Sequence, residues 1–483
     1  MQRAFSFAFV FAFALIGCGD SKSGNGGVGG NSGVDPTTAV FARKAPTGGC
    51  LADCGPTTDA FFDSEKLATL RIDFDPADLA VLGYEPSRWL DMMWSKWKSC
   101  NPNVTWIPAT LRYESPDGVG DVTMERVGVR LRGSKGRGTN PLQGMKVEFK
   151  KLIPSADADH AERRFADLNQ INLLSVERDT SIMLQCMSYE LMRGLGVKAP
   201  RCNHIKVYVQ GSLYGVMQSV EKTNDARFLK HQFGDNDGHL YGGSTSCELE
   251  NVYGTSLEYK GDVFAGDYLK SYEIVRGDVG NAESELLPMF KCGDPTSTPN
   301  DEDFKACISE WIDVDQWLRV IAGESLIPQL ESFVGARRNA YFYFLPDATA
   351  PHGGRFVVWG WDYDTGLQRA TCNPSKPNGI GCDPFKAVAK WFDLPGTRPK
   401  LVTRLTSVFK AEYCQIMKSF LEEVYDPALV GLRAATMDAA MQENIAPAYA
   451  DWQPEVAKMR DYMEQQRAAE LEIVTTACSD VLP

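Results

Sequence analysis

Two carboxylates, Asp362 and Asp364, directly follow the short apolar run Phe356–Trp361. Runs of this length and composition are typical of buried β-strands. If the strand extended to Asp364, both carboxylates would project from the same side, because side chains alternate along a strand. Two carboxylates against an apolar wall repel each other unless they are protonated or bridged by a hard cation such as Mg²⁺. The pattern predicts either a metal site or a turn capped by two aspartates.

A glycine-rich turn with several basic side chains follows the strand predicted over residues 125–132. The basic side chains at the end of the strand and in the turn are Arg130, Arg132, Lys135 and Arg137. Free backbone N–H groups beside cationic side chains form anion sites, and a solvated hairpin is the alternative interpretation. Lys146 lies on the next predicted strand, where its ammonium group either extends to solvent or contacts phosphates.

Glu221 ends the second strand of a predicted hairpin, at the point where an apolar run gives way to polar residues. A carboxylate at such a hinge could accept hydrogen bonds from a ribose or a base. The alternative is a cap for the helix predicted over Ala226–Phe233.

The N-terminus predicts export and a lipid anchor. Residues 1–18 combine Arg3 with an apolar segment that ends at Cys18, in a pattern that resembles the bacterial lipobox. Cys18 is therefore the predicted lipidation site. Gly19 in the following position favours an outer-membrane anchor in the cell envelope, on the periplasmic or the surface face. Residues 19–46 are rich in Gly, Ser and Asn and predict a flexible tether.

Charge and cysteine content narrow the classes of partner. The net charge of −13 argues against a nucleic-acid partner, which would require a basic face. Thirteen cysteines less the lipidated Cys18 leave twelve, and an even number in an oxidising compartment predicts disulfides rather than metal binding. Cys50/Cys54 and Cys372/Cys382 are close enough for local loops, although pairing does not follow from spacing.

Periodicity predicts an α+β fold with a β-rich first part and an α-rich second part. The predicted strands are 67–74, 106–113, 125–132, 145–149, 204–209, 213–220, 340–345 and 356–361. The predicted helices are 181–195, 226–233, 314–327, 401–425, 427–444 and 454–477. Residues 243–305 are rich in Gly, Ser and Asp and predict mainly loops.

An ordered set of segments across about residues 65–475 resembles the spore coat protein H (CotH) kinase-like family. The segments that carry the resemblance are Ile72–Leu79, Val127–Ser134, Met145–Phe149, Leu168–Leu173 with Asp179–Ser181, Val207–Gly215, Glu221–Leu229, Asn339–Tyr343 and Trp361–Gly366. The resemblance implies an atypical protein-kinase-like, two-lobed domain over residues 47–483, with the N-lobe at about 60–221 and the C-lobe at about 222–478.

The resemblance also implies a role for each matching residue. Lys146 would contact the phosphates of ATP, Arg132 would line the same cleft, and Glu221 would lie on the adenine side. Asp362, with Asp364 and Asn339, would bind Mg²⁺ or Mn²⁺. Glu331 stands near the place of the family's catalytic Asp and would accept the proton of the substrate hydroxyl. Glu is one methylene longer than Asp, and position matters as much as pKa for a general base.

These expectations lead to one leading hypothesis and two rivals. The leading hypothesis is an exported kinase that transfers phosphate from ATP to Ser or Thr of surface or envelope proteins. The first rival is a catalytically inactive kinase-like scaffold or adhesion protein, favoured by Glu331 and by the scarcity of ATP outside the inner membrane. The second keeps the enzyme but changes the transferred group, because a fold does not determine its chemistry.

Overall fold

The computed structural model describes most of the chain beyond residue 43. The described residues are 44–81, 85, 87, 89–90, 106–132, 142–157, 160–174, 179, 181–243, 255–327, 332–335, 337–364, 366–367, 398–442 and 452–482. All of them belong to one unit, Pro36–Pro483. The predicted signal peptide and most of the predicted tether, as well as Cys18, lie outside the described residues.

The strands of the first part form a closed seven-stranded barrel. Strands β1 to β9 are Asp53–Cys54, Ala68–Phe74, Ile107–Glu114, Val122–Leu131, Met145–Glu148, Arg164–Phe165, Gln170–Leu174, Cys202–Val209 and Ser212–Val220. The barrel has the strand order β2-β3-β4-β5-β7-β9-β8, and β1 pairs with β6 outside it. The barrel closes where β2 pairs with β8 in parallel, while its other neighbouring strands are antiparallel.

Alternating side chains explain why these segments form strands. In β2, every second residue is buried, from Ala68 to Phe74, and the apolar residues pack inside the barrel. The predicted strands over residues 67–149 and the hairpin at 204–220 are confirmed. The predicted antiparallel sheet was incomplete, because closure depends on the parallel pairing of Ala68 with Ile205 and of its neighbours.

A four-stranded antiparallel sheet forms the β-structure of the second part. Strands β10 to β13 are His239–Gly243, Tyr272–Arg276, Ala340–Pro346 and Gly354–Gly360. Their order is β11-β10-β12-β13. In the β12–β13 hairpin Ala340 pairs with Gly360. Asn339, which precedes Ala340, and Trp361, which follows Gly360, therefore lie at the same end of the hairpin. The strand therefore ends before Asp362, and the premise that it extends to Asp364 is wrong.

Helices surround this sheet and make up the rest of the second part. Helices α1 to α12 are Thr58–Phe61, Pro76–Val81, Leu184–Gly194, Ala226–Phe233, Asp267–Ser271, Val279–Gly293, Asp301–Trp311, Val314–Leu326, Lys400–Val408, Lys410–Ser419, Ala428–Met441 and Trp452–Ala477. The helix predicted over 401–425 is α9, α10 and a π-helical turn at Phe420–Val424. The mainly loop-like prediction for 243–305 was wrong at α6, whose first turn carries a capping box at Asp278 and Asn281.

The α+β class is confirmed, and the barrel interior forms one apolar cluster while the helical part forms a second, to which a few barrel residues contribute. Leu174 and Val220 of the barrel pack in the same cluster as α3 and the helices that follow. Disulfides Cys186–Cys202, Cys292–Cys307 and Cys414–Cys478 tie elements of this core together, and Cys50–Cys54 closes a local loop. Cys372 and Cys382 lie outside the described residues. Within the described ranges, no helix has the length and apolar character needed to cross a membrane.

Candidate functional site

A row of cations lies on the outer face of the barrel. Arg130 of β4 pairs directly opposite Lys146 of β5, and Lys146 pairs opposite Asn172 of β7. Met145 and Val147 point into the barrel core, so Lys146 points outward. Like charges directly opposite each other in a sheet are unfavourable. The arrangement therefore lowers stability in the absence of an anion.

Lys146 is the centre of this cationic cluster. Its pKa is lowered from 10.5 to about 7, mainly by burial and then by the charges of Arg130, Arg132 and Lys222. Glu148 opposes this effect only in part. The Arg130 guanidinium lies over the Trp106 ring, at 4.9 Å from its centroid, and its pKa is also lowered by burial. A half-buried ammonium group among three further cations is well suited to bind a multiply charged anion.

Asp362 and Asp364 lie on a turn beyond the end of β13. Asp362 has a φ of 61°, in the left-handed region that L-residues adopt at a cost. Tyr363 is buried, whereas Asp362 and Asp364 are half-buried. The turn thus buries Tyr363 and leaves the two aspartates half-buried, and a common direction of the two carboxylates remains a prediction.

Helix α3 contacts this turn directly. The backbone N–H of Asp362 donates to the Tyr189 hydroxyl at 2.9 Å, and Gln185 Nε2 donates to Asp362 Oδ1 at 3.2 Å. The helix itself is fixed at its start by Asp179, which accepts the Leu184 N–H at 2.8 Å and the Gln218 amide at 2.9 Å. The position of Asp362 is therefore coupled to the barrel through α3.

Arg132 connects the cationic cluster to the Asp362 turn. Its charge lowers the pKa of Lys146. It also partly offsets the raised pKa of Tyr189, which is due to burial first and then to the negative charge of Asp362. The same charge acts on Tyr341 of β12. The charge of Arg132 thus acts both on Lys146 and on two tyrosines next to the Asp362 turn, Tyr189 and Tyr341.

Asn339 lies beside the same turn. Its backbone carbonyl accepts the Trp361 N–H at 2.9 Å, and its backbone φ is 52°. The Asn339 side chain is buried. Its Nδ2 atom has no hydrogen-bond partner within the described part of the chain. Asn339 is therefore held at the hairpin end next to the two aspartates.

The oxygen donors at this hairpin end are of the type that Mg²⁺ takes when it is shared with a phosphate. Among the described residues there is no group of three or more His, Cys, Asp and Glu side chains that could hold a metal ion. Asp362, Asp364 and Asn339 nevertheless provide hard oxygen donors. Mg²⁺ typically takes one or two protein carboxylates and completes its coordination with waters and substrate phosphates. A site of this composition would depend on the phosphate for its remaining ligands.

Glu221 has a structural partner. Arg201 donates to its carboxylate through Nε at 3.0 Å and through Nη2 at 2.5 Å, and the Glu221 side chain is 1% exposed. Burial acts to raise the pKa of Glu221, but hydrogen bonds from His231 and Arg201 lower it overall. Its adjacent residue Lys222 acts on Lys146 instead. A contact between Glu221 and a base remains a prediction.

Replacing Glu221 with Gln is expected to lower the free energy of unfolding by about 1–3 kcal/mol, because it removes the buried carboxylate that pairs with Arg201 and leaves the exposed Asp59 as the described acidic partner of Arg201. The folded-state pKa of Glu221 lies below 4.5, so its stabilising effect is present above that pH and is lost as the pH falls through the folded pKa. Thermal denaturation of wild type and variant at pH 7 and at pH 3 measures the loss of stability and its pH dependence. Glu114→Gln, which breaks a more exposed pair with Arg71, serves as control and should cost at most about 1 kcal/mol. An equal loss in both variants would contradict the structural role.

Beneath the turn, Gly360 leaves room for two polar groups. A Cβ atom at this position would overlap the Tyr363 hydroxyl and the Glu324 carboxyl group. We expect Gly360→Ala to destabilise the protein by about 1–3 kcal/mol, because neither buried group can move without losing its partner. Thermal denaturation measures the loss. Gly431→Ala, where a Cβ would meet nothing within 4 Å, is the matched control and should not lower the melting temperature.

Some of the predicted site residues are not among those that the structure describes, and other residues near the site were not predicted from the sequence. Glu331, Lys135 and Arg137 are not among the described residues. The residues that the sequence analysis did not include are Lys222, Gln185, Tyr189 and Glu324. Lys222 follows Glu221 directly and could have been proposed as a cation at the hinge. The other three lie on helices, and nothing in their spacing distinguishes them from ordinary core or surface positions.

Comparison with known proteins identifies the family of this chain. The model of the family described as CotH kinase protein matches residues 129–470, which include the site residues from Arg130 to Asp364. Inner spore coat protein H of Bacillus subtilis (strain 168) is 24% identical over 210 residues. That alignment covers 42% of this chain and 51% of the relative, so it spans about half the length of the relative. Because the family model covers well over half of the sequence, the chain belongs to the CotH kinase protein family.

Proposed function

We propose that this chain is an exported lipoprotein that transfers the γ-phosphate of ATP to Ser or Thr side chains of surface or envelope proteins. The observation that carries the proposal is the half-buried Lys146 among Arg130, Arg132 and Lys222, of which Arg132 also acts on Tyr189, the residue that contacts the Asp362 turn. A cationic cluster beside carboxylates suits a polyphosphate and its metal ion. The kinase-like, two-lobed organisation is part of the proposal, with the barrel as the N-lobe and the helical part as the C-lobe.

In this mechanism the residues of the chain position charge. Lys146 and Arg132 would hold phosphate oxygens, and the neighbouring cations would stabilise the negative charge of the transferred group. Asp362, Asp364 and Asn339 would hold Mg²⁺ or Mn²⁺, which when bound neutralises phosphate charge. Glu331 would accept the proton of the attacking hydroxyl as its oxygen bonds to phosphorus and the bond to ADP breaks. The membrane anchor at Cys18 would keep the enzyme beside its envelope substrates.

The test is transfer from γ-labelled ATP with Mg²⁺ or Mn²⁺, using the full-length protein with its disulfides intact and an envelope extract. We expect label on protein, lost in Asp362→Ala and in Glu331→Gln. Binding of ATP without transfer, together with a different adduct detected by mass spectrometry, would support another group transfer. Absence of nucleotide binding with either metal would overturn the proposal and favour the inactive scaffold.

A further inference from the structure

The turn that carries Asp362 needs support from its surroundings. Its left-handed φ of 61° is unfavourable for an aspartate and persists only where the surrounding structure holds it. From α3, the Tyr189 hydroxyl accepts the Asp362 N–H at 2.9 Å. The backbone carbonyl of Asn339, the residue before β12, accepts the Trp361 N–H at 2.9 Å. These contacts fix the backbone of the turn on two sides.

A third support comes from below, through Tyr363. The ring of Tyr363 stacks on that of Tyr189, with centroids 5.2 Å apart and an interplanar angle of 27°. Its hydroxyl donates to Glu324 Oε1 at 2.9 Å. Tyr363 is buried and lies in sequence between the two half-buried aspartates, so its contacts anchor the centre of the turn.

Glu324 is an unusual group in this position. It is fully buried on α8, and its other described contacts are with the Val334 N–H, at 3.4 Å from Oε2, and with Ser332. Burial raises the pKa of Glu324 to about 8, so the carboxyl group is mostly neutral at pH 7. An apolar side chain would avoid the desolvation of this group altogether. What it would not provide is an acceptor for the Tyr363 hydroxyl.

Helix α8 holds Glu324 in register with the hairpin. Val358 N–H donates to Gln316 Oε1 at 3.0 Å, and Trp317 Nε1 donates to the Phe356 carbonyl at 2.9 Å. The helix is thus attached to β13, the strand that leads into the turn. Gly360 at the end of that strand lacks the Cβ that would separate Tyr363 from Glu324.

We propose that Glu324 is a positioning residue: by accepting the Tyr363 hydroxyl, it fixes Tyr363 against Tyr189 and so holds the Asp362 carboxylate in one orientation. The part of this proposal that concerns metal binding by Asp362 rests on the proposed function. The part that concerns the order of the turn does not depend on it. The chain of contacts resembles the outer-shell hydrogen bonds that orient metal ligands in other proteins, whose removal reduces metal affinity about tenfold to a hundredfold.

The test compares Glu324→Gln, Glu324→Leu and Tyr363→Phe in the full-length protein. Tyr343→Phe is the matched control. Tyr343 lies on β12, and its buried hydroxyl donates a hydrogen bond to Asp235 at 2.7 Å. Two properties are measured: amide hydrogen exchange of the segment 361–364 without ligand, and Mn²⁺ affinity in the presence of ATP. ATP affinity in EDTA shows whether the nucleotide site itself is intact.

We expect Tyr363→Phe and Glu324→Leu to accelerate exchange of the segment and to weaken Mn²⁺ binding about tenfold or more, with metal-free ATP affinity unchanged. Glu324→Gln keeps the acceptor oxygen and imitates the neutral carboxyl group, so it should remain close to wild type. Tyr343→Phe should leave both measurements unchanged even if it lowers the melting temperature.

Unchanged exchange and unchanged Mn²⁺ affinity in folded Tyr363→Phe would overturn the proposal. So would a Glu324→Gln variant as impaired as Glu324→Leu, because the carboxyl would then act by another route. If wild type binds neither ATP nor Mn²⁺, the proposed function fails, and exchange alone decides. Faster exchange in Tyr363→Phe then still supports positioning of the turn by Glu324, and unchanged exchange rejects it.

Discussion

Replacing Lys146 with Met is expected to make the protein more stable and to weaken its binding of ATP. The variant removes a half-buried ammonium group that lies among three other cations. Replacing buried charges by apolar side chains of similar size often stabilises a protein by about 1–4 kcal/mol. The same change removes charge-assisted hydrogen bonds to phosphate, so the Kd for ATP should rise about tenfold to a hundredfold.

The pH dependence of stability gives this prediction a second measurement. The pKa of Lys146 is about 7 in the folded protein, against the ordinary value of 10.5. Below pH 7 both the folded and the unfolded states carry the proton, and the destabilisation is fully present. Between pH 7 and 10.5 the unfolded state binds more protons, so wild-type stability gains from rising pH. The stability advantage of Lys146→Met should therefore be largest below pH 7 and shrink above it.

ATP binding at pH 8 should also be accompanied by proton uptake, because an adjacent polyphosphate favours the charged form of Lys146. Calorimetry in buffers of different ionisation enthalpy measures this uptake, which should be absent in Lys146→Met. Lys206→Met, on β8 of the same barrel, is the control and should retain both the affinity and the uptake. If Lys146→Met bound ATP as tightly as wild type, Lys146 would not contact the phosphates.

Asp362→Ala is expected to reduce phosphoryl transfer about a thousandfold, which corresponds to about 4 kcal/mol of transition-state stabilisation. The reason is that Asp362 is the carboxylate that α3 and the hairpin jointly hold in place. Nucleotide affinity in EDTA should change little, because Lys146 and Arg132 remain. The measurement is single-turnover transfer at saturating ATP over a range of Mg²⁺ concentrations.

The exposed carboxylate of Asp315 on α8 provides the matched control. Among the residues that the structure describes, its ion-pair partner is Arg319 on the same helix, and Asp315→Asn should leave transfer unchanged. Equal rates in wild type and Asp362→Ala would remove Asp362 from the mechanism. A loss in Asp362→Ala that high Mg²⁺ fully restores would indicate that Asp362 contributes to metal affinity more than to the chemical step.

Local sequence patterns were sufficient to predict most of the helices and strands. Strands such as Ala68–Phe74 and helices such as Ala226–Phe233 follow from periodicity, because each buries one face and exposes the other. Barrel closure does not follow from it, because the β2–β8 pairing joins segments far apart in the chain. The helix Val279–Gly293 was missed, since flanking Gly and Asp residues and an internal Pro288 obscured its apolar face.

The disulfides illustrate the same limit. An even number of cysteines in an exported chain predicts disulfides, and the structure contains them. The partners, such as Cys414 with Cys478, are determined by helix packing that spacing alone does not specify.

For the candidate site, the sequence by itself determined which residue types are available and where the strands that present them end. Lys146 and Arg132 on the barrel and Asp362 beyond β13 could be chosen on that ground, together with the family resemblance. Only the tertiary structure decided what surrounds them: Lys222 near Lys146, Gln185 and Tyr189 on Asp362, and Glu324 beneath Tyr363. The physical reason is that pKa values and side-chain orientation depend on burial and on neighbours from distant segments. Those neighbours meet only when the barrel packs against the helices.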